Sequence, residues 1–236
     1  MFSSKSISGK HAQSLALKVS KLLSVYQRKK YNYVYKSAEV NRTDNNDLFY
    51  NIEIIQEAIE NNKKISFKYK KPYIEKENRK TPYVVNPYFL INSQGRYYLV
   101  CNYDYYDEIS NYKLEFIKDI KILDEARKPI RKLNNYANDI NITKYINEHF
   151  YAFGKKTVNA TLKLSSENAA IYVLEWFGSS AKIYKKGDTF YADLSANEMA
   201  LIYWCLQYGE NVELVSPADT RQKIKNTLND ICKKYD

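Results

Sequence analysis

Val85-Asn86-Pro87-Tyr88-Phe89-Leu90, Gly95-Arg96-Tyr97-Tyr98-Leu99-Val100 and Asn111-Tyr112-Lys113-Leu114-Glu115-Phe116-Ile117 are three short runs in which large apolar or aromatic residues alternate with polar ones. A period of two belongs to a half-buried strand, so these runs predict strands over 82–91, 96–103 and 109–116 joined by two tight connections. Lys63 to Tyr69 alternates in the same way, with Ile65, Phe67 and Tyr69 on one side. So do residues 119–123, where Ile120 and Ile122 flank Lys121. Between the first two strands, Pro72 to Lys80 is charged and proline-bounded and reads as a hairpin-type loop. Leu48 to Asn61 carries Ile52, Ile55 and Ile59 at helical spacing, and Asp47 stands where an N-cap would.

Working outward, one helix and about five short antiparallel strands close most economically into a small SH3-like barrel, which leaves no free sheet edge. On the N-terminal side, His11 to Tyr26 reads as a helix through Leu15, Val19, Leu22 and Leu23, and Ser37 to Asp47 as a polar loop. On the C-terminal side, residues 126–156 are basic, with one short helix expected near Ile142 to His149. Then come a strand over Val158 to Leu164 and a helix from Ser165 or Ser166 to Phe177, ended by Gly178. Ala181 to Tyr184 and Thr189 to Leu194 read as a hairpin around Lys186-Gly187-Asp188. Ser195 is expected to cap a helix to Tyr208, followed by a strand over Val212 to Val215 and a last helix from Pro217. The first six of these elements, β-α-β-β-α-β, match a ferredoxin-like arrangement. The expected class is α+β, with an N-terminal helical segment (1–49), a barrel domain (50–125), a basic linker (126–156) and a ferredoxin-like domain (157–236).

The 236 residues are 44% apolar and 27% charged, the composition of a globular chain with room for one or two cores. No run approaches 18 apolar residues and no apolar segment follows the polar N-terminus, so neither a membrane span nor a secretory leader is expected. Cys101, Cys205 and Cys232 are odd in number and lack C-x-x-C spacing, which fits a reducing cytoplasm with the first two as small core residues. The net charge of +10 is unevenly placed. Nine Lys/Arg face three Asp/Glu in residues 1–50, and seven face two in 126–158, whereas the intervening and final segments are near neutral. Phosphate recognition needs clustered cations, and the clusters here are Arg28-Lys29-Lys30 and Arg127-Lys128 with Arg131-Lys132. They read equally as solvated surface. The 24 tyrosines accompany much Lys, Asn and Ile, as a G+C-poor codon pool produces, so the count alone carries no function.

Catalytic patterns are weak. The two histidines, His11 and His149, sit in polar segments, the six glycines form no phosphate-cradling loop, and no metalloprotease, nucleophile-elbow or dinucleotide pattern occurs. Asp107-Glu108 and Asp124-Glu125 lie at a turn and a strand end, where nothing holds two carboxylates face to face in a cleft. The expectation is a non-enzyme without cofactor or metal. Binding chemistry is better represented. In the 96–100 strand Arg96 and Tyr98 share one face; in the 111–116 strand Asn111, Lys113 and Glu115 do. A barrel burying Tyr97, Leu99, Tyr112 and Leu114 would display Arg96, Tyr98 and Lys113. A tyrosine between cations can stack on a base while a phosphate is neutralised. The same residues also fit an ordinary polar face with snorkelling Arg and Lys.

Residues 50–124 resemble a WYL domain. Tyr50-Asn51-Ile52 through Lys64-Ile65-Ser66-Phe67-Lys68-Tyr69 is similar to the family's lead-in, and Pro87-Tyr88 to its proline followed by Tyr or His. Arg96-Tyr97-Tyr98-Leu99 stands where Trp-Tyr-Leu occurs, with Tyr97 for Trp, and residues 111–117 stand at the Arg-x-Phe-Arg-type strand. Residues 158–236, with Phe177-Gly178, Trp204 and Pro217, resemble the C-terminal extension that commonly follows. The resemblance implies an SH3- or Sm-like barrel, usually in a homodimer, that senses a nucleotide or short single-stranded nucleic acid for a bacterial transcription regulator. It places Tyr88, Tyr98 and Lys113 on the ligand face, beside Arg96 and Asn111. Asn111 and Phe116 stand where members often carry arginine, and Lys113 cannot make arginine's planar bidentate phosphate contact. Such regulators carry a winged helix-turn-helix ahead of the segment resembling Ser3 to Tyr26. The expectation is that the chain is part of a longer regulator, reaching promoter DNA only through that reader, with a sensor that lacks its own reader as the other reading. Two alternatives stay open: a stand-alone RNA- or ssDNA-binding accessory protein, and a dimerisation scaffold whose barrel site is inactive.

Overall fold

The computed structural model describes residues 14–15, 17–19, 21–22, 24, 47–70, 81–133, 141–149, 151 and 156–236. Residues 14–15, 17–19 and 21 are helical, within the predicted first helix. Arg28, Lys29 and Lys30, residues 37–46 and the 72–80 loop lie outside the described residues. The chain divides into two compact units, residues 1–137 and 138–236.

In the first unit α1 spans Leu48–Glu60. Leu48, Asn51, Ile55 and Ala58 recur every three or four residues and form its buried face. Asp47 holds the N-cap position, but its side chain makes no capping bond; it takes Lys118 Nζ at 2.9 Å instead. Five strands follow: β1 (Lys63–Tyr69), β2 (Tyr83–Ser93), β3 (Arg96–Asn102), β4 (Ile109–Lys113) and β5 (Ile117–Ala126). All paired neighbours are antiparallel, in the order β4-β3-β2-β1-β5. The expected closed barrel is not seen: among the described residues the pairing ends at β4 on one side and β5 on the other. The strand predicted over 109–116 is also shorter. A 3-10 turn, Leu114–Phe116, interrupts it, and Lys70 N–H donates to the Phe116 carbonyl at 2.8 Å. The turn has a packing reason. Leu114 and Ile117 are both fully buried; residues three apart share a side in a 3-10 turn, whereas an extended strand would send them to opposite faces. The core beneath α1 contains Ile55, Ile65, Phe67, Val85, Leu99, Leu114 and Ile117.

The second unit begins with α2 (Ile142–Glu148), capped by Asn141, whose side chain accepts the Lys144 N–H at 2.9 Å. Then come β6 (Thr157–Leu164), α3 (Ala170–Phe177), β7 (Lys182–Lys186), β8 (Thr189–Asn197), α4 (Glu198–Gln207), β9 (Val212–Ser216) and α5 (Ala218–Cys232). The sheet order is β7-β8-β6-β9. β6 alternates without a fault, with Val158, Ala160, Leu162 and Leu164 buried. These residues meet Val173 and Phe177 of α3 and Leu201, Trp204 and Cys205 of α4 in one core. The Lys186–Thr189 turn places Gly187 at φ +61°, a region open to glycine without strain. One capping expectation is corrected. Ser195 lies inside β8, and Asn197 caps α4, accepting the Ala200 N–H at 3.1 Å. The ladder to β6 reaches Thr157–Asn197, so pairing carries the strand past the predicted Leu194 end. Cys101 and Cys205 are buried and Cys232 is exposed. Burial pushes the Cys205 thiol up to about 12 and the Cys101 thiol higher. Among the described residues, no helix is long and apolar enough to cross a membrane.

Candidate functional site

Register assembles a row of side chains on the face of the first sheet opposite Leu99. β3 and β4 pair Tyr98 with Lys113, Val100 with Asn111 and Asn102 with Ile109. β2 and β3 pair Ser93 with Arg96 and Ile91 with Tyr98. Because alternate residues share a face, Arg96, Tyr98, Asn111 and Lys113 all project from the same side. Arg96 Nη1 donates to Glu115 Oε1 in an ion pair, with the carboxylate on the buried side of the contact. The 3-10 turn brings Glu115 there and sets Lys113 Nζ 5.7 Å from the Phe116 ring centre, a cation–π distance. Lys113 N–H donates to Tyr69 Oη at 3.3 Å, which ties the strand end to β1.

The electrostatics follow from half-burial beside another cation. Desolvation lowers the Lys113 ammonium from its ordinary range, and the nearby Arg96 lowers it further against the pull of Glu115. Desolvation raises the Tyr98 phenol, with Arg96 opposing. A half-buried tyrosine between a guanidinium and an ammonium offers a flat face for a π-system and two cations for an anion. It offers no nucleophile–base pair. Among the described residues no group of three or more His, Cys, Asp or Glu is placed to hold a metal.

Tyr88 lies elsewhere on the sheet. It sits at a β2 bulge between Pro87 and Phe89, and only 6% of it is exposed. Its hydroxyl is 2.7 Å from Asn102 Oδ1 and 3.1 Å from the Lys128 carbonyl. Asn102 is four residues from Tyr98 along β3, roughly 13 Å at strand rise. Tyr88 therefore belongs to a buried polar network. Asn86 Nδ2 donates to Asn102 Oδ1 at 3.0 Å and to Asp104 Oδ1 at 2.8 Å, and Asn86 Oδ1 accepts the Lys128 N–H at 2.7 Å. Asn102 Nδ2 donates to the carbonyls of Tyr103 and Tyr106 at 2.9 and 2.7 Å. The basic residues 127 and 128 join this network. Arg127 donates to Asn62 Oδ1 and to the Pro87 carbonyl and lies 5.7 Å from the Tyr88 ring centre; Lys128 Nζ pairs with Asp107 at 2.8 Å. Both cations make structural contacts within the unit. Arg131 and Lys132 occupy an exposed 3-10 turn, Ile130–Lys132.

Two features escaped the sequence reading. One is the Arg96–Glu115 pair, which the shared face of Asn111, Lys113 and Glu115 foreshadowed without fixing the register. The other is an aromatic cluster. Phe67 packs on Tyr83 and Tyr112 with centroids 5.6 and 5.3 Å apart. Tyr69 packs on Tyr112 and Phe116 at 4.9 and 5.7 Å. The hydroxyls of Tyr103 and Tyr112 bond each other, and burial pushes the Tyr69 and Tyr112 phenols well above the usual range.

Residues 50–122 match the model of the WYL domain family. No curated protein matches the chain. Two solved structures are similar to it. One is proteasome accessory factor B/C (PafBC) of Arthrobacter aurescens, at 14% identity and a TM-score of 0.36, over 83% of this chain and 29% of that one. The other is a CRISPR Cas-related protein, at 13% identity and a TM-score of 0.47, over 80% of this chain and 52% of that one. The chain thus spans about a third to a half of their lengths.

Proposed function

We propose, from the premise that residues 50–122 form a WYL domain, that the chain is the effector-sensing part of a transcription regulator. The effector is a nucleotide or a short single-stranded nucleic acid. The carrying observation is the row on β3 and β4: Tyr98 directly opposite Lys113, with Arg96 on the same face and oriented by Glu115. A base stacks on Tyr98 while Lys113 and Arg96 meet phosphate oxygens; Asn111, two residues from Lys113 along β4, offers an amide to a base edge. With Glu115 engaging one side of the guanidinium, Arg96 keeps donors for only part of a phosphate, and Lys113 contributes a point charge. The row therefore suits an effector carrying few phosphates.

Supporting the finer fold reading, the order β5-β1-β2-β3-β4 with a 3-10 turn between β4 and β5 is the connectivity expected of an SH3-like sheet. The β7-β8-β6-β9 order agrees with a ferredoxin-like second unit. The proposed role is non-catalytic and exercised in the cytoplasm. It is exercised by a homodimer, with promoter contact supplied by a separate DNA-reading segment. Titration of the chain with mononucleotides, cyclic nucleotides and short ssDNA or ssRNA at low salt tests the reading. Saturable binding is expected, weakened about tenfold or more by Tyr98→Ala and also by Lys113→Ala. Binding unaffected by both substitutions, or no binding at all, rejects it.

A further inference from the structure

The second unit carries a face that its core does not use. On β6 and β8 the alternation that buries Leu162, Leu164, Ala192 and Leu194 against α3 and α4 turns Thr161, Lys163, Tyr191 and Asp193 the other way. Pairing of β7 with β8 sets Tyr184 opposite Tyr191, Lys182 opposite Asp193 and Lys186 opposite Thr189. Pairing of β6 with β8 sets Lys163 opposite Tyr191. The two rings stack with centroids 5.7 Å apart and planes 18° from parallel. Lys163, Lys182 and Lys186 are exposed and both rings are half-buried. Strand rise and spacing put each lysine roughly 5–7 Å, backbone to backbone, from a ring-bearing residue. An aromatic pair thus has a cation on three sides.

The carboxylates nearby are engaged by donors or cations; Asp188, in the turn beside Lys186, lies 4.0 Å from Lys185 Nζ. Asp193 Oδ1 accepts from Thr161 Oγ1 at 2.7 Å and from Tyr184 Oη at 3.4 Å. Glu213 pairs with Arg221 at 2.6 Å and, at 4.0 Å, with Lys163. At one end of the face, Ser195 Oγ donates to Glu148 of α2. None of the exposed large apolar side chains among the described residues lies on β6, β7 or β8. A protein partner would need an apolar centre there, whereas flat rings framed by lysines complement stacked bases and phosphates.

We propose that this face is a binding site for single-stranded nucleic acid, with bases stacking on Tyr191 and Tyr184 and Lys163, Lys182 and Lys186 following the backbone. It lies on a different unit from the Tyr98 row and stands or falls separately. The test uses the full chain and fluorescently labelled ssRNA and ssDNA of about ten nucleotides, read by anisotropy across a salt series. The parent and the Tyr98→Ala/Lys113→Ala variant both serve as backgrounds. In the second background, where the Tyr98 row is disabled, Tyr184→Ala/Tyr191→Ala is expected to weaken binding about tenfold or more. Lys163→Gln/Lys182→Gln, which alters only exposed side chains, is expected to flatten the slope of log K against log salt by about 1.4. Circular dichroism verifies the fold of each variant. In that background, unchanged affinity and slope in both double variants overturns the proposal, as does loss of all binding on Tyr98→Ala/Lys113→Ala alone. If only the Tyr184/Tyr191 and lysine variants have an effect, the Tyr98 reading fails and this one holds.

Discussion

Asn102 shows how much one side chain can organise. It is fully buried. Its oxygen receives Asn86 and Tyr88, and its nitrogen donates to two carbonyls of the β3–β4 connection. Asn102→Ala removes a bond from each of those four partners; Tyr88 keeps the Lys128 carbonyl and the Tyr103 carbonyl keeps the Tyr106 N–H, while an unmet buried polar group costs about 1–3 kcal/mol. Partial entry of water reduces the total, so a loss of about 2–4 kcal/mol is expected. Urea denaturation measures it; a loss under about 0.5 kcal/mol, as for a surface change, would contradict the network. Tyr88, Arg127 and Lys128 belong to the same account. Their side chains hold the segment after β5 against β2 and β3, which is a structural task for residues whose types alone suggest ligand contact.

At the scale of elements, the start of α4 separates two candidate caps. Asn197 accepts the Ala200 N–H, whereas Ser195 reaches Glu148 of α2. Asn197→Ala is expected to lower stability by about 1 kcal/mol and to speed hydrogen exchange at the Ala200 amide. Ser195→Ala should leave that amide protected. Equal exchange in both variants would mean that the cap contributes nothing. The β4–β5 corner teaches a related lesson. Its sequence alternates well enough to read as strand, yet burial of both Leu114 and Ile117 selects the 3-10 turn. The same turn delivers Glu115 to Arg96.

For the molecule as a whole, two carboxylates link each unit's stability to pH. Asp104 is held below its usual range by hydrogen bonds from Asn86 and Lys64, and Glu198 by Lys223, reinforced by Thr220. A carboxylate whose folded pKa is depressed contributes stability that is fully present above its unfolded value, near 4, and is lost as pH falls through the folded value. Both units should therefore weaken from about pH 5 downward. Asp104 is the more exposed of the two, so solvent screening leaves it the smaller share. Glu198→Gln is expected to cost about 1 kcal/mol at pH 7 and almost nothing at pH 2. Thermal melts at the two pH values decide it, and an equal cost at both would rule out the linkage.

The strands of the first unit, the helix before them and the β-α-β-β-α-β order of the second were legible in the chain, because a period of two or of 3.6 is written in consecutive residues. The faces were legible too: Arg96 with Tyr98, and Asn111 with Lys113 and Glu115, follow from alternation alone. Register was not. Which residue lies across a strand depends on turns, bulges and the packing of both faces, none of which is local. Register is what joined Tyr98 to Lys113, moved Tyr88 into the buried network and placed Tyr184 against Tyr191. The open pairing between β4 and β5 was likewise settled by tertiary packing. Sequence, then, determined the elements and the chemistry available on each side. Only the tertiary structure decided which of those groups meet, since meeting depends on contacts between residues far apart in the chain.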